Sequence, residues 1–315
     1  MDSLDTRDGA RTAPVRGVPV SAATATPRQR AAGIALILGS SASNQVGAGL
    51  GALAFPTIGP VGVVAVRQFV TAAVLTLMVR PKLRGLRKDQ WWPILGLALV
   101  FSVVNICLYV AIERIGLGLA VTLEFLGPLA VAVISSRRWL DAACALLAAV
   151  GVVVLTNPGP TTDVIGIGSA LLAAIAWACY ILLNRTLGQR FTGLQGTATA
   201  SLVSAAVWTP IGLAWFVFHG PTAASIALAV ACGLLASIVP YAADVITLRR
   251  VPAQVFGTFT SINPVWAALV GWVMLHQALD LHEWVGIALI VLGNVLVTLR
   301  GFAPVKPPTG DHAVG

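Results

Sequence analysis

The sequence predicts an all-α integral membrane protein: ten transmembrane helices arranged as two inverted five-helix repeats. Three observations predict this class. The composition is apolar, the hydrophobic residues fall in an even series of long segments, and Lys and Arg collect on one side of that series. Of 315 residues, 57% are hydrophobic and only 10% charged, and the mean hydropathy is +0.87. Soluble domains run at about 45–50% apolar and about 25% charged. A water-soluble fold of this composition would expose large apolar patches and aggregate.

Residues 1–30 are rich in Ala, Pro, Thr, Arg and Asp without apolar periodicity, and predict a flexible cytoplasmic tail. The tail lacks the short apolar core and small-residue cleavage site of a secretory signal. Hydrophobic segments follow at 33–53, 60–79, 93–112, 115–135, 139–156, 164–184, 194–218, 223–247, 253–275 and 281–299. Each is near the roughly 20 residues that a helix needs to cross hydrocarbon. The connections are short, as in FPTIGP, SSRRW, TNPGPTTD and FHGPT, which predicts antiparallel neighbours in a tight bundle. A β-barrel is excluded because the segments are continuously apolar rather than alternating.

Orientation follows from charge. With the N-terminus inside, all of the 20 Lys and Arg residues except Arg67 and Arg114 lie in cytoplasmic loops or tails. This is a positive-inside pattern for an even number of spans, and it predicts a multi-pass protein of the cytoplasmic membrane with both termini cytoplasmic. The same distribution removes nucleic acid as the meaning of the +8 net charge.

The chain also resembles itself. Arg114, Thr122, Pro128 and Ala132 align with Arg250, Thr258, Pro264 and Ala268 at one constant offset. Gly151 and Thr156 align with Gly293 and Thr298 at a slightly longer one. The fourth and ninth segments each carry a mid-span proline. Residues 31–158 and 159–301 are therefore predicted as repeats, with 302–315 a cytoplasmic tail. Five spans per repeat invert the second against the first, a secondary-transporter pattern that places a site near mid-membrane.

Arg67 and Glu124 are charges set inside such spans, after VGVVAV and GLGLAVTL. A charge at the bilayer centre costs at least about 2.5–3.5 kcal/mol and ordinarily marks a polar path. Counting from the outer side, Arg67 lies roughly 10 Å deep and Glu124 roughly 14 Å. Arg67 reads either as a snorkelling side chain or as a cation lining a cavity and suited to a carboxylate. Glu124 reads either as its structural ion-pair partner or as a substrate and proton group. Asp244 closes the eighth segment near Arg249 and Arg250, and reads as an interfacial pair or an inner-side proton site.

Asn44, Gln45, Asn105 and Asn263 add mid-span polarity, and Trp177 and Tyr180 lie one turn apart on the sixth span. Each polar residue serves as an interhelical hydrogen bond or as part of a pocket wall. Pro128 and Pro264 free backbone carbonyls beside that region. Gly47-x-x-x-Gly51 permits close helix packing. Trp91, Trp92, Trp139 and Trp284 read as interfacial anchors. The four cysteines lie in apolar runs with no CxxC and no metal spacing. With no P-loop, HExxH or GxSxG and no histidine cluster, neither an enzyme nor a metal or cofactor site is predicted. The sequence sets no oligomeric state.

Leu123-Glu124-Phe125-Leu126-Gly127-Pro128-Leu129-Ala130-Val131-Ala132, followed by Ser135-Ser136-Arg137-Arg138, resembles the signature of EamA-type threonine/homoserine exporters of the drug/metabolite transporter superfamily. Phe55-Pro56, Ala65-Val66-Arg67, Trp177-x-x-Tyr180-Ile181-Leu182, Val239-Pro240-Tyr241 and Leu248-x-Arg250 support the resemblance, which runs from about residue 33 to 300. It implies ten helices in two inverted repeats and amino-acid efflux driven by the proton gradient, with Tyr241 among the substrate-lining residues. The chain departs from the pattern at Asp244 and Asn263, where such exporters tend to carry glutamate.

The resulting expectation is proton antiport of a small amino acid, with Arg67 on its carboxylate, Glu124 on its ammonium, and Glu124 and Asp244 as proton groups. The partners expected are that cargo and membrane lipid. The alternative is a lipophilic drug or metabolite exporter of the same fold, with Trp177, Trp208 and Trp266 in an apolar pocket.

Overall fold

The computed structural model describes residues 27–81, 88–134, 139–157, 163–190, 195–240, 243 and 260–300. Every element among them is helical. The order is α1 Pro27–Leu53, α2 Phe55–Val79, α3 Lys88–Ile115, α4 Leu117–Glu124, α5 Leu126–Ile134, α6 Trp139–Thr156, α7 Val164–Arg190, α8 Gln195–Phe218, α9 Ala223–Gly233, α10 Asn263–Leu275 and α11 Leu281–Arg300. A π-helical turn, Leu234–Ile238, continues α9. Because α4 and α5 are halves of one span, the described residues form ten helical units. The tails, the basic loops at 82–87 and 135–138, and residues 241–242 and 244–259 lie outside the described residues.

Phe55–Val79, Gln90–Ile115, Val164–Leu183 and Gln195–Phe218 are each long and apolar enough to cross a membrane. Shorter apolar helices accompany them, including Leu117–Val131, Ala223–Ile238 and Asn263–Leu275. Large apolar side chains such as Phe69, Leu77, Leu99, Ile134, Ile165, Val217 and Trp272 face outward. A bundle in lipid exposes apolar groups on its rim and reserves polar ones for its centre.

Helices begin earlier than hydropathy predicts: α1 at Pro27, α2 at Phe55 and α3 at Lys88. Hydropathy marks the hydrocarbon, whereas the helical hydrogen bonds continue past it. The second span does not start at Pro60. It starts at Phe55, bends at Gly59 (φ 61, ψ 175), and carries Pro60 inside the helix. Trp215 Nε1 donates to the Ile58 carbonyl at the bend (2.8 Å), supplying a partner where the helical ladder is interrupted.

Each of the two mid-span prolines has a helix break just upstream of it. The fourth span turns at Phe125 before Pro128, and the ninth turns at Ser261 and Ile262 before Pro264. A proline has no N–H for the carbonyl four residues back, so Glu124 and Thr260 lose their α-helical donors.

Packing falls into matched partnerships. α3 lies along α7 and α8, while α1 lies along α9 and its π turn. α2 packs on α8, α4 on α10, and α6 on α11. Glycines set the closest approaches. A Cβ at Gly47 would meet the Ala236 nitrogen at 2.6 Å, and one at Gly51 would meet Tyr109, Cys232 and Val63, so the predicted small-residue pair does bring α1 against its neighbours. A Cβ at Gly127 would collide with the Ala174 carbonyl of α7. At the start of α7, Asp163 Oδ1 accepts from Arg114 Nε (3.0 Å) and from the Gly166 N–H (2.7 Å). These donors hold its carboxyl below the usual aspartate range, the arginine first.

Three outcomes follow. Gly127→Val destabilises the detergent-purified protein by about 1–3 kcal/mol, because backbone on α7 cannot yield as a side chain could. Gly168→Ala, with nothing within 4 Å of the added methyl, leaves the melting temperature unchanged or slightly raised. The Asp163 contribution is present above the ordinary aspartate value of about 3.9 and fades as pH falls through its depressed folded value. Asp163→Asn therefore lowers the melting temperature at neutral pH, and its effect disappears in strong acid.

Candidate functional site

One cavity of about 520 Å³ lies among α1, α2, α3, the α4/α5 break, α7, the π turn and the α10 start. Its size is within the roughly 300–1,000 Å³ range of small-molecule sites. Arg67, Glu124, Asn44, Gln45, Asn105, Trp177, Tyr180, Asn263 and Pro128 all line it. The structure thus brings together residues that the sequence spreads over six spans. Tyr241 and Asp244 lie outside the described residues. Pro264, the second residue of α10, does not line the cavity. Trp208 and Trp266 do not line it either: both are packed among helices, with ring N–H groups that find no partner among the described residues. The apolar pocket expected around them is absent from this cavity.

Arg67 does not snorkel. Its guanidinium turns inward to the π turn, donating from Nη2 to the Ala236 carbonyl (3.1 Å) and from Nε to Ser237 Oγ (3.3 Å). Nη1 donates to Tyr109 Oη (3.1 Å), and the guanidinium carbon lies 5.5 Å from that ring's centroid. The local backbone explains the attachment. Pro240 supplies no N–H to Ala236, and the N–H of Val239 goes to Leu234 rather than Leu235. Two carbonyls are left facing inward. Ser43 Oγ donates to that of Leu235 (2.9 Å), and Arg67 donates to that of Ala236.

Glu124 is buried, with 7% of its surface accessible. Its carboxylate has no hydrogen-bond or ion-pair partner among the described residues, Arg67 included, and it opens onto the cavity. The structural ion pair weighed from sequence does not form. An unpartnered acidic group nearly removed from solvent is the costliest group in this wall, and only a ligand, a proton or water can serve it.

Asn263 is held on three sides. It accepts from Gln45 Nε2 (3.0 Å), while its own Nδ2 donates to the Thr260 carbonyl (2.8 Å) and to Ser41 Oγ (3.4 Å). It therefore caps the carbonyl that Pro264 frees. Asn105 Nδ2 donates to the Phe101 carbonyl (2.7 Å). Aromatic rings form the remaining wall: Phe125 meets Trp177 edge-on at 4.8 Å, and Phe101 tilts against Tyr180 at 5.6 Å.

Sequence reasoning missed Tyr109, Ser237 and Gln68. Each is one polar side chain in an otherwise apolar helix, a weak signal alone. Pro240 was the usable clue, since a mid-span proline implies a carbonyl needing a donor.

Comparison with known proteins agrees with this architecture. Residues 164–299 match the EamA-like transporter family. The chain is 34% identical over 277 residues to the threonine/homoserine exporter RhtA of Escherichia coli strain K12, covering 85% of this chain and 90% of that protein. It is 33% identical over 274 residues to RhtA of Salmonella typhimurium strain LT2, with the same coverages of 85% and 90%. An uncharacterized transporter of Bacillus subtilis strain 168, YwfM, is 25% identical over 245 residues, covering 73% and 80%. A protein of known crystal structure superposes with a TM-score of 0.58 at 19% identity, covering 85% of this chain and 97% of that one, and shares its fold.

Tyr109→Phe keeps the ring beneath Arg67 and deletes the hydroxyl that receives its proton. The expected loss is about 1 kcal/mol of stability. Arg67→Leu, which strips the Ala236 carbonyl of its donor, is expected to cost more, and thermal unfolding in detergent ranks the two.

Proposed function

The chain belongs to the EamA-like transporter family, and from that premise we propose that it exports small amino acids of the threonine/homoserine class across the cytoplasmic membrane by proton antiport. One observation carries the reading: an anchored cation, Arg67, and an unpartnered buried carboxylate, Glu124, line the same cavity. An amino acid at neutral pH brings one carboxylate and one ammonium. Arg67 brings a fixed positive charge to the first, and Glu124 pairs with the second.

In this mechanism, Glu124 takes a proton from the outer side and loses its hold on the ammonium. The proton leaves toward the cytoplasm, and the restored carboxylate binds the next cargo. A proton moves in as an amino acid moves out. Alternating access comes from two inverted five-helix repeats rocking about the breaks before Pro128 and Pro264. The matched helix partnerships and the equivalent positions of the two breaks support that repeat, and the one-sided Lys and Arg loops support cytoplasmic termini. Asp244 is proposed as an inner-side proton group on sequence grounds.

A lipophilic cargo is the second reading, favoured by the aromatic wall of Phe101, Phe125, Trp177 and Tyr180. Two opposite charges in one cavity suit a zwitterion better, because a neutral lipophile leaves the buried Glu124 carboxylate unserved.

Reconstituted vesicles preloaded with labelled threonine test the proposal. Wild-type efflux should accelerate under an imposed proton gradient, and Glu124→Gln should abolish the acceleration. Gradient-dependent efflux at the wild-type rate in Glu124→Gln would remove the coupling role. Displacement of threonine by hydrophobic cations such as tetraphenylphosphonium, but not by other amino acids, would transfer the reading to lipophilic cargo.

A further inference from the structure

Gln68 lies next to Arg67 on α2 and is buried (6% accessible), yet it lines the cavity. Its amide is oriented by a chain of hydroxyls whose direction can be read from its far end. Ser102 Oγ donates its only proton to the Ala98 carbonyl (3.0 Å). The contact between Ser102 and Ser204 (3.0 Å) must therefore use the Ser204 proton. With that proton committed, Ser204 can only accept from Gln68, and Nε2 donates to it at 2.8 Å. The nitrogen end of the amide is thus fixed toward α8, and the carbonyl oxygen is left for the cavity. Among the described residues Gln68 Oε1 has no donor, and it is not sealed from the open space.

We infer that Gln68 is a specificity-determining residue whose Oε1 accepts a hydrogen bond from a hydroxyl on the cargo's side chain. This rests on the amino-acid reading and deepens it. The cavity then makes three contacts of different chemistry: a cation for the carboxylate, an anion for the ammonium, and a neutral, direction-fixed acceptor for an O–H. Ser201, buried on the same face of α8 as Ser204 and also lining the cavity, adds a second hydroxyl beside this acceptor. An isostere with a methyl group in place of the hydroxyl leaves Oε1 buried and unserved. A site built to bond a substrate hydroxyl rejects such an analogue far more strongly than an apolar pocket rejects an extra methylene. Three distinct contacts around one carbon also favour one enantiomer. Ser204 and Ser102 act as positioning residues, because they reach the cargo only through the amide.

The test is competition in reconstituted vesicles, with labelled L-threonine counterflow against unlabelled L-threonine and L-valine. Wild-type protein should prefer threonine by about tenfold or more. Gln68→Leu should lose that preference while still moving valine. Ser204→Ala should reduce it partway, because the amide then rotates and its oxygen is no longer fixed. Gln68→Leu with an undiminished preference overturns the inference. If that variant does not fold, the wild-type protein decides alone, since equal competition by valine and threonine also overturns it. If wild-type protein moves neither amino acid, the cargo reading falls and takes this inference with it. If it moves both equally, the cargo reading stands and only the hydroxyl assignment falls.

Discussion

A backbone carbonyl that loses its helical donor inside a membrane must find another, because hydrocarbon offers none. This constraint organises the centre of the molecule. Pro128, Pro240 and Pro264 withdraw N–H groups from Glu124, Ala236 and Thr260, and all three of those residues line one cavity. Ala236 is served by the Arg67 guanidinium and Thr260 by the Asn263 amide. Arg67 is thus a structural donor and a fixed positive charge at once. Its orientation is set by the π turn, so the cation is in place before any ligand arrives. A preorganised charge binds without first having to be ordered.

The two broken spans solve the same backbone problem with different side chains. Phe125 and Ser261 turn the chain at equivalent places, yet the residue just before each proline differs. Gly127 lets α5 approach the α7 backbone with no room for a methyl, whereas Asn263 reaches back to cap the freed carbonyl and ties α1 to the break. The acidic group appears on one side only, at Glu124, with Thr260 in the matching position. In the proposed inverted repeat, the first break therefore carries a carboxylate and the second a neutral hydrogen-bonded hinge. Asn263 fits the neutral role, because both ends of its side-chain amide are committed to protein partners.

Much of this was legible in the sequence because membranes enforce strong patterns. Spans, mid-span breaks and the meeting of Arg67 with Glu124, Asn44, Gln45, Asn105, Trp177 and Tyr180 follow from one rule, that polar groups in lipid face the interior. That rule does not say which interior groups meet. It could not show that Arg67 turns to a π turn instead of pairing with Glu124, since that choice depends on where Pro240 places two carbonyls in space. Nor could it exclude Trp208 and Trp266 from the cavity, because an indole packs equally well between helices or along a pocket. Gln68 and Tyr109 escaped notice because a lone polar residue in an apolar helix resembles any interhelical hydrogen bond. The hydroxyl chain that gives Gln68 its direction joins α2, α3 and α8, which no local pattern connects. The starts of α1, α2 and α3 were misplaced by several residues because hydropathy reports lipid contact rather than backbone hydrogen bonding.

The central claim is that Arg67 and Glu124 hold the two charged ends of one zwitterion in a single cavity. A structure determined with bound L-threonine tests it most directly. The account predicts cargo between the two side chains, its carboxylate on the guanidinium and its ammonium on Glu124. Threonine seated elsewhere, or in this cavity with its ammonium turned away from Glu124, would contradict it.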